Sequence, residues 1–274
     1  MANFQPLKNY MLYCLDKCIQ MEHLEGPFLD VGCGIGDVSL YLAKKGWSGT
    51  SIDYSDIAVE RAKNTLAAFP NVTVRKAALE EIKGSFKTVI LWDVLEHIEH
   101  DEPALKKIST LLAPDGKLLI AVPSNPREWR WDDPFYGHFR RYTKKDMSRK
   151  LTQAGLKPLL FWDFTFPTFW ILRRLYTLVK RAPKVDAADK ERRTKESSTV
   201  NAWDIPVISF ILNKSTPIWR LNYWLQFRLF RNAAGVGHEF FALAGKEAQV
   251  EHAGPPEEPS WLPPAEAQVA MPIG

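Results

Sequence analysis

The chain has 274 residues, of which 46% are hydrophobic and 25% are charged, and its formal net charge is +4. A chain of this length and composition buries an ordinary core without help from disulfides or metal ions. Its mean hydropathy is −0.23. Because every stretch of about 18 residues contains a charge or a proline, a polytopic membrane protein is excluded.

The N-terminal residues MANFQPLKNY show neither the basic nor the apolar region of a signal peptide, so we expect a cytoplasmic protein. The three cysteines are Cys14, Cys18 and Cys33, and no two of them form a CxxC pair. This pattern fits a reducing compartment and excludes a structural zinc framework.

The predicted elements alternate between strands and helices after a first amphipathic helix at 5–21, which carries Cys14 and Cys18 on its apolar face. Short apolar runs predict strands at 27–31, 48–53, 71–76, 86–92, 116–122, 157–163 and 238–245. Helical periodicity predicts helices near 37–45, 55–68, 102–113 and 143–154. The alternation indicates a doubly wound α/β domain with a mostly parallel sheet.

A basic, aromatic stretch at 164–232 separates the last two predicted strands and carries 13 Lys and Arg against 5 Asp and Glu. We predict that it is an inserted unit with helices at 170–181 and 217–231 and a charged segment at 182–200 between them. In the predicted helix at 170–181, one arc is apolar and consists of Ile171, Leu172, Leu175, Leu178 and Val179. The opposite arc consists of Arg173, Arg174, Thr177, Lys180 and Arg181. The main domain is then 1–163 with 233–249, and the proline-rich residues 250–274 are predicted to be a disordered tail.

The sequence FLDVGCGIGD at residues 28–37 carries the strongest functional signal. An apolar strand ends in a glycine-rich turn that leads into a helix, and glycines there let the backbone approach a ligand closely. The spacing is GxGxG rather than the GxGxxG of dinucleotide sites, which favours a different nucleoside ligand. Asp53 ends the next predicted strand, where a carboxylate accepts hydrogen bonds from both hydroxyls of a ribose.

With these motifs, the chain resembles the class I S-adenosylmethionine-dependent methyltransferases over about 27–163 and 238–245. The resemblance implies a Rossmann-like, seven-stranded sheet of order 3-2-1-4-5-7-6 with an antiparallel last strand. It also implies that S-adenosylmethionine binds at a set of residues at the strand ends. That set is Asp30, Gly32, Cys33, Gly34, Gly36, Asp53, Tyr54, Leu79 and Asp93.

One position departs from this family's pattern. After the third strand, members often carry an acid that accepts from the adenine amino group, but here the residue is Ala78. The backbone of Leu79 or the side chain of Glu80 would replace that contact.

The closest likeness within the superfamily is to the branch with ubiquinone-biosynthesis methyltransferases and type 11 enzymes, which often carry GHxRxYT. This chain has GHFRRYT at 137–143. Methyl transfer to a hydroxyl requires removal of its proton, and histidine suits that task near neutral pH. We therefore predict His97 and His138 as the catalytic residues. Arg140, Arg141 and Tyr142 are candidates for gripping a phosphate or carboxylate of the substrate, or else form a solvated loop with a structural salt bridge.

The motif DVLEH leaves two interpretations open. Asp93, Glu96 and His97 are spaced to share one face of a helix, and His138 could join them. Small-RNA 2′-O-methyltransferases use a similar ExxEH with a distant histidine to hold a divalent ion. We favour the alternative without metal, in which Asp93 and Glu96 cap a helix and His97 packs near the cofactor.

The insertion also has more than one interpretation. A helix with an apolar arc, a basic arc and flanking aromatic residues is typical of an interfacial membrane anchor. The alternative is a lid that packs its apolar arc on the catalytic domain and leaves its charges in water. Nucleic acid is disfavoured, because no RNA-binding module signature is present.

We therefore predict a peripherally membrane-associated methyltransferase that O-methylates an amphiphilic acceptor, such as a quinol precursor or a lipid-linked sugar, at an anionic membrane surface. A soluble small-molecule acceptor under a hydrophobic lid is the first alternative. A methyltransferase-fold scaffold without turnover is the second: the intact glycine loop with Asp53 argues against it, and Ala78 argues for it. The sequence does not specify the oligomeric state.

Overall fold

The computed structural model describes residues 5–180, 215–233 and 235–246. The predicted tail at 250–274 and the charged segment at 182–200 lie outside these described residues.

The strands and helices follow the predicted order closely. The strands are β1 (Phe28–Val31), β2 (Gly49–Asp53), β3 (Val72–Lys76), β4 (Phe86–Trp92), β5 (Leu112–Pro123), β6 (Leu156–Asp163) and β7 (Glu239–Lys246). The longer helices are α1 (Pro6–Glu22), α2 (Asp37–Lys44), α3 (Asp56–Leu66), α4 (Asp101–Leu111), α5 (Asp132–Tyr136), α6 (Lys144–Gln153), α7 (Thr168–Val179) and α8 (Thr216–Phe230). The sequence pattern did not predict α5, because five residues are too few to show helical periodicity.

The sheet has seven strands in the order β3-β2-β1-β4-β5-β7-β6, which confirms the predicted topology. β1 to β5 pair in parallel, whereas β7 runs antiparallel to both β5 and β6. The chain order reverses at β1, which pairs with β2 on one side and β4 on the other. In doubly wound sheets, ligands bind outside the carboxyl ends of the strands at such a switch point.

Helices cover both faces of the sheet, so the central strands are buried on both sides. Along β5, Leu118 and Ile120 point to one face, where they pack with α4 and α6. Leu119 and Ala121 point to the other face, where they pack with α1, α2, α7 and α8. All four side chains are fully buried, which explains why the strand reads as a continuous apolar run.

The two described helices of the insertion, α7 and α8, pack on the main domain. The hydroxyl of Tyr223 in α8 donates to the backbone oxygen of Pro6 in α1 at 2.8 Å. The buried Gln226 side chain donates to Phe164 O at 2.6 Å and accepts from Thr168 N at 3.3 Å, which joins α8 to the start of α7. These contacts make the two helices part of the same core as α1.

The apolar and basic arcs of α7 lie on opposite sides of the helix, as predicted. The basic arc faces the main domain, whereas the lid alternative required the apolar arc to face it. Arg173 contacts Asp132 at 2.7 Å and Asp133 at 3.0 Å, and only 12% of its side chain is exposed. Arg174 pairs with Glu128. The apolar arc faces solvent instead. The alternative prediction, a lid that packs its apolar arc on the domain, is therefore wrong, because the buried carboxylates of Asp132 and Asp133 attract the basic arc to the domain.

Replacing Arg173 with methionine should lower the free energy of unfolding by about 3–5 kcal/mol, since the buried carboxylate of Asp132 would lose its cation and that of Asp133 would lose one of two. Chemical denaturation monitored by circular dichroism measures this change. Arg149→Met is the matched control, because Arg149 contacts Glu102 and Asp146 on the surface with 49% of its side chain exposed. If Arg149→Met were as unstable as Arg173→Met, the buried ion pairs of Arg173 would not contribute more to stability than exposed ones, which would contradict the prediction.

Candidate active site

The glycine loop after β1 has a backbone that side chains would disrupt. Gly32, Gly34 and Gly36 have φ angles of 68°, 53° and 84°, in the left-handed region that favours glycine. A Cβ atom at Gly32 would lie 2.6 Å from a methyl carbon of Val94. The loop is thus packed directly against the segment that follows β4, which leaves its outer side to a ligand.

Two buried carboxyl groups flank this loop. Asp53, at the end of β2, accepts hydrogen bonds from Gly34 N at 3.0 Å and Ser55 N at 2.9 Å. The backbone of Tyr54 adds a third hydrogen bond, and a carboxylate with about four acceptor sites keeps capacity for a further donor. Asp30, in β1, accepts from the Ser39 hydroxyl at 2.5 Å, and burial raises the pKa of Asp30 to about 7. Burial also raises the pKa of Asp53, against its hydrogen bonds from Ser55 and Gly34.

The remaining predicted cofactor residues lie along the same edge of the sheet. Tyr54 directly follows Asp53 and is 45% exposed. Leu79 is buried and begins a short 3-10 turn after β3, where Ala78 N donates to Glu81 at 3.1 Å. Cys33 is buried inside the glycine loop, and burial raises the pKa of its thiol.

The segment after β4 differs from the predicted helix face. Asp93 has a φ angle of 52°, and a 3-10 turn begins only at Leu95 and ends at His97. The prediction that Asp93 shares a helix face with Glu96 and His97 is therefore wrong, because the left-handed turn at Asp93 interrupts the helical path. Predicted capping by Glu96 is also wrong, since neither of its carboxylate oxygens accepts a hydrogen bond within the described residues.

Glu96, His97 and His138 nevertheless come together in space. The His97 and His138 rings meet edge to face with centroids 4.9 Å apart. Glu96 Oε1 lies 3.9 Å from His138 Nε2, the side chain of Glu96 is fully buried, and burial raises its pKa to about 8. One ligand atom from each residue lies within 4.8 Å of the others. Imidazole and carboxylate groups at this spacing fit a divalent cation, and Asp93 is not a member of this group.

Asp133 fixes the orientation of His138. Its Oδ1 atom lies 2.9 Å from His138 Nδ1 and 2.8 Å from the Arg141 guanidinium. Burial alone would raise the pKa of Asp133, but the hydrogen bond to His138 and the charge of Arg141 hold that pKa well below its ordinary value. The carboxylate favours a proton on Nδ1, so Nε2 of His138 presents its lone pair toward Glu96.

The three predicted substrate-binding residues make contacts within the protein. Arg140 pairs with Asp101 at 3.1 Å, and the buried Tyr142 hydroxyl donates to Asp101 at 2.9 Å. Arg141 is also buried and donates to the backbone oxygens of Ser124 and His238, both at 2.9 Å. These contacts favour a structural role for all three, in keeping with the salt-bridge alternative.

The sequence interpretation missed two polar residues, His238 and Glu239, which open β7 at this same edge. His238 is 2% exposed, and burial lowers its pKa well below the ordinary value. Burial raises the pKa of Glu239 well above its ordinary value, with the charge of Asp93 adding to the effect. A polar pair at the head of the apolar run HEFFALAG was the available signal.

Comparison with known proteins agrees with this geometry. A family model described as a methyltransferase domain matches residues 10–160, more than half of the chain. The chain is 34% identical over 105 residues to the mitochondrial ubiquinone biosynthesis O-methyltransferase of Schizosaccharomyces pombe, covering 35% of this chain and 37% of the relative. It is 30% identical over 135 residues to the ubiquinone biosynthesis O-methyltransferase of Dechloromonas aromatica, covering 47% of this chain and 58% of the relative.

The chain thus spans well under two thirds of the length of these relatives. The structure of geranyl diphosphate C-methyltransferase from Streptomyces coelicolor matches with a TM-score of 0.54 at 15% identity, covering 87% of this chain and 80% of the other, which shows a shared fold. With a glycine loop and Asp53 at the switch point of a seven-stranded sheet, the chain belongs to the class I S-adenosylmethionine-dependent methyltransferases.

Proposed function

We propose that the protein transfers a methyl group from S-adenosylmethionine to a hydroxyl oxygen of an amphiphilic acceptor, such as a prenylated quinol precursor or a lipid-linked sugar, at an anionic membrane surface. The observation that carries this proposal is the pairing of two features at one sheet edge. The glycine loop with Asp53 lies beside a group of two half-buried histidines and a buried carboxyl group.

The residues around the glycine loop suit the cofactor. Asp53 accepts hydrogen bonds from the backbone of Gly34, Ser55 and Tyr54 and keeps acceptor capacity for a ribose hydroxyl. The backbone at Gly32 and Gly34 leaves room for the methionine part, and Tyr54 and Leu79 flank the place of the adenine. When bound, S-adenosylmethionine supplies a methyl group activated by its sulfonium sulfur.

His138 is the strongest candidate for the residue that takes the proton of the acceptor hydroxyl. Asp133 orients its ring, and the Nε2 atom points toward the space shared by Glu96 and His97. A histidine fixed in this way acts as a general base, and the imidazolium that it becomes is stabilised by the adjacent Asp133 carboxylate. His97, which contacts the His138 ring, would orient the acceptor or share the proton.

A second chemistry for the same residues is coordination of a divalent cation by Glu96, His97 and His138. The fit of their ligand atoms within 4.8 Å favours this alternative. In that case the histidines would hold the cation with neutral rings, and the acceptor hydroxyl would be acidified by the cation. The two chemistries make opposite predictions for chelation.

The described helices of the insertion support action at a membrane surface. None of the described helices is both long enough and apolar enough to cross a bilayer. The exposed apolar side chains of α7 and α8 form what we call the apolar face. Its members, with exposed fractions of 37–84%, are Ile171, Leu172, Leu175, Leu178, Val179, Ile218, Leu221, Trp224, Leu225 and Leu229.

The charged residues of α7 and α8 are all basic. Lys180, Arg220 and Arg228 are exposed on or beside α7 and α8, and neither helix contains Asp or Glu. Two helices that expose an apolar surface and carry only cations fit an anionic lipid surface, where the cations add electrostatic attraction to the burial of apolar side chains.

Asp53→Ala should weaken the binding of S-adenosylmethionine and S-adenosylhomocysteine by about 1–3 kcal/mol, because buried ribose hydroxyls would lose a charged acceptor. Isothermal titration calorimetry measures the affinity. Asp56→Asn, an exposed carboxylate change three residues away, is the control and should bind both ligands normally. A wild-type protein that releases no heat with either ligand would rule out the methyltransferase and leave the scaffold alternative.

His138→Ala and His97→Ala should each lower methyl transfer by ~10²-fold or more while leaving cofactor affinity nearly unchanged. Label transfer from methyl-labelled S-adenosylmethionine into lipid extracts measures turnover. His138→Gln is a further probe, since glutamine keeps a polar side chain but cannot accept the proton. Chelation followed by addition of magnesium, manganese or zinc separates the two chemistries, because only a metal site loses and regains activity. Full turnover in both alanine variants would contradict both proposed chemistries, proton removal by histidine and coordination of a cation.

The protein should co-sediment with anionic vesicles at low salt and detach as the Debye length shrinks from ~10 Å at 0.1 M to ~3 Å at 1 M. The triple variant Leu178→Ser, Leu221→Ser and Trp224→Ser should bind more than about tenfold less well, since it removes three large side chains from the apolar face. Met21→Ser is the control, because Met21 is 49% exposed on α1, away from this face. Protein that stays in the supernatant with both anionic and neutral vesicles would favour a soluble acceptor instead.

A further inference from the structure

A second group of polar side chains lies beside the histidines, and the chemistry proposed above does not use it. Asp93 follows β4, Ser124 follows β5, and Glu239 begins β7. Because β7 is antiparallel to β5, its first residues lie at the edge where β4 and β5 end. Glu239 pairs with Pro123 in the β5–β7 register, and Ser124 N donates to the backbone oxygen of His238 at 2.8 Å.

Several buried atoms of this group and of the neighbouring Glu96 lack a hydrogen-bond partner within the described residues. They are Asp93 Oδ1, both carboxylate oxygens of Glu96, Ser124 Oγ and Glu239 Oε2. Glu96 and Ser124 are 0% and 1% exposed. Buried polar atoms without a partner destabilise a fold, so a partner that the described residues do not supply is expected here.

The backbone that carries Glu239 is held firmly. The hydroxyl oxygen of Thr165 accepts from His238 N at 2.8 Å and from Glu239 N at 3.2 Å. Asp163 accepts from Gly237 N at 2.7 Å, and a Cβ atom at Gly237 would lie 2.2 Å from the Asp163 carboxylate. Supported binding residues of this kind are typical of ligand sites.

The charges of the group indicate which ligand it suits. Three carboxyl groups, Asp93, Glu96 and Glu239, interact with one another electrostatically. Two cations, Arg141 and Arg173, act on Glu239 electrostatically. Arg141 already donates to Ser124 O, His238 O and Asp133, and Arg173 pairs with Asp132 and Asp133. Because both cations are engaged within the protein, an anionic acceptor would lack a counter-charge here, whereas a hydroxyl would supply the missing donor.

Resting on the proposed function, we infer that Glu239 is an acceptor-binding residue. It accepts a hydrogen bond from a hydroxyl group of a neutral acceptor, with Ser124 and Asp93 beside it, and it disfavours acceptors that carry an anionic group near the reacting end.

Isothermal titration of the full chain saturated with S-adenosylhomocysteine tests this inference, with EDTA present so that no cation bridges protein and probe. The probes are 1,2-dihydroxybenzene and 3,4-dihydroxybenzoate, which differ by one carboxylate. Wild-type protein should bind the neutral probe at least about tenfold more tightly. Glu239→Ala should lose at least about tenfold of that affinity, and Glu239→Gln should keep most of it, because the amide oxygen still accepts the hydroxyl. Glu60→Gln, the same change on the exposed side of α3, should behave as wild type.

Equal binding of both probes, binding of neither, or unchanged affinity in Glu239→Ala would overturn the inference. The melting temperature of Glu239→Gln separates recognition from structure: it should be no lower than that of wild type, and a clear decrease would show that Glu239 is structural. The titration requires no turnover. A protein that binds the neutral probe through Glu239 but never transfers a methyl group would therefore overturn the proposed function and support this inference.

Discussion

The carboxylate of Asp133 is the interaction on which the rest of the site depends. It is fully buried and contacts Arg141, Arg173 and His138, while Arg130 N donates to it at 2.8 Å. A buried charge is tolerated only when its partners replace the water it has lost. Here those partners come from three parts of the fold: the segment after β5, the insertion helix α7, and the loop that carries His138.

This arrangement makes the position of His138 depend on the insertion. Arg173 reaches Asp132 and Asp133 from α7, and Asp133 in turn fixes the ring of His138. Because Arg173 and Arg174 face the domain, the apolar arc of α7 has to face outward. The same contacts that orient His138 therefore expose the apolar face, so the packing of α7 determines both the His138 orientation and the exposed surface of the helix.

Several residues of the site destabilise the fold locally. Asp93 adopts a left-handed backbone conformation that is unfavourable for a side chain other than glycine, asparagine or aspartate. Its neighbours Glu96 and Glu239 are buried carboxyl groups with raised pKa values. Local violations of folding rules commonly concentrate at functional sites, where preorganised polar groups await a ligand. Elsewhere the sheet is apolar on both faces, which supplies the stability that these groups remove.

The sequence by itself determined the sheet and the cofactor side of the site. Alternating apolar runs and helical periodicity predicted every strand to within a few residues, because both patterns are local. The glycine loop and Asp53 were predicted for the same reason: each follows directly from a strand end, and parallel strands place their carboxyl ends at one edge. The strand order came from resemblance to a known family, and the structure confirmed it.

Only the tertiary structure decided the side of the site that we propose for the acceptor. Arg173 and Glu239 lie far along the chain from Asp133 and His138, and no spacing rule links them. The sequence did not determine the orientation of α7 either, since a helical wheel shows that the apolar and basic arcs are opposed but not which arc faces the domain. The basic arc faces the domain because Arg173 pairs with the buried Asp132 and Asp133. Long-range electrostatic pairing in a desolvated interior depends on where the elements pack, and this is why the local sequence pattern did not contain it.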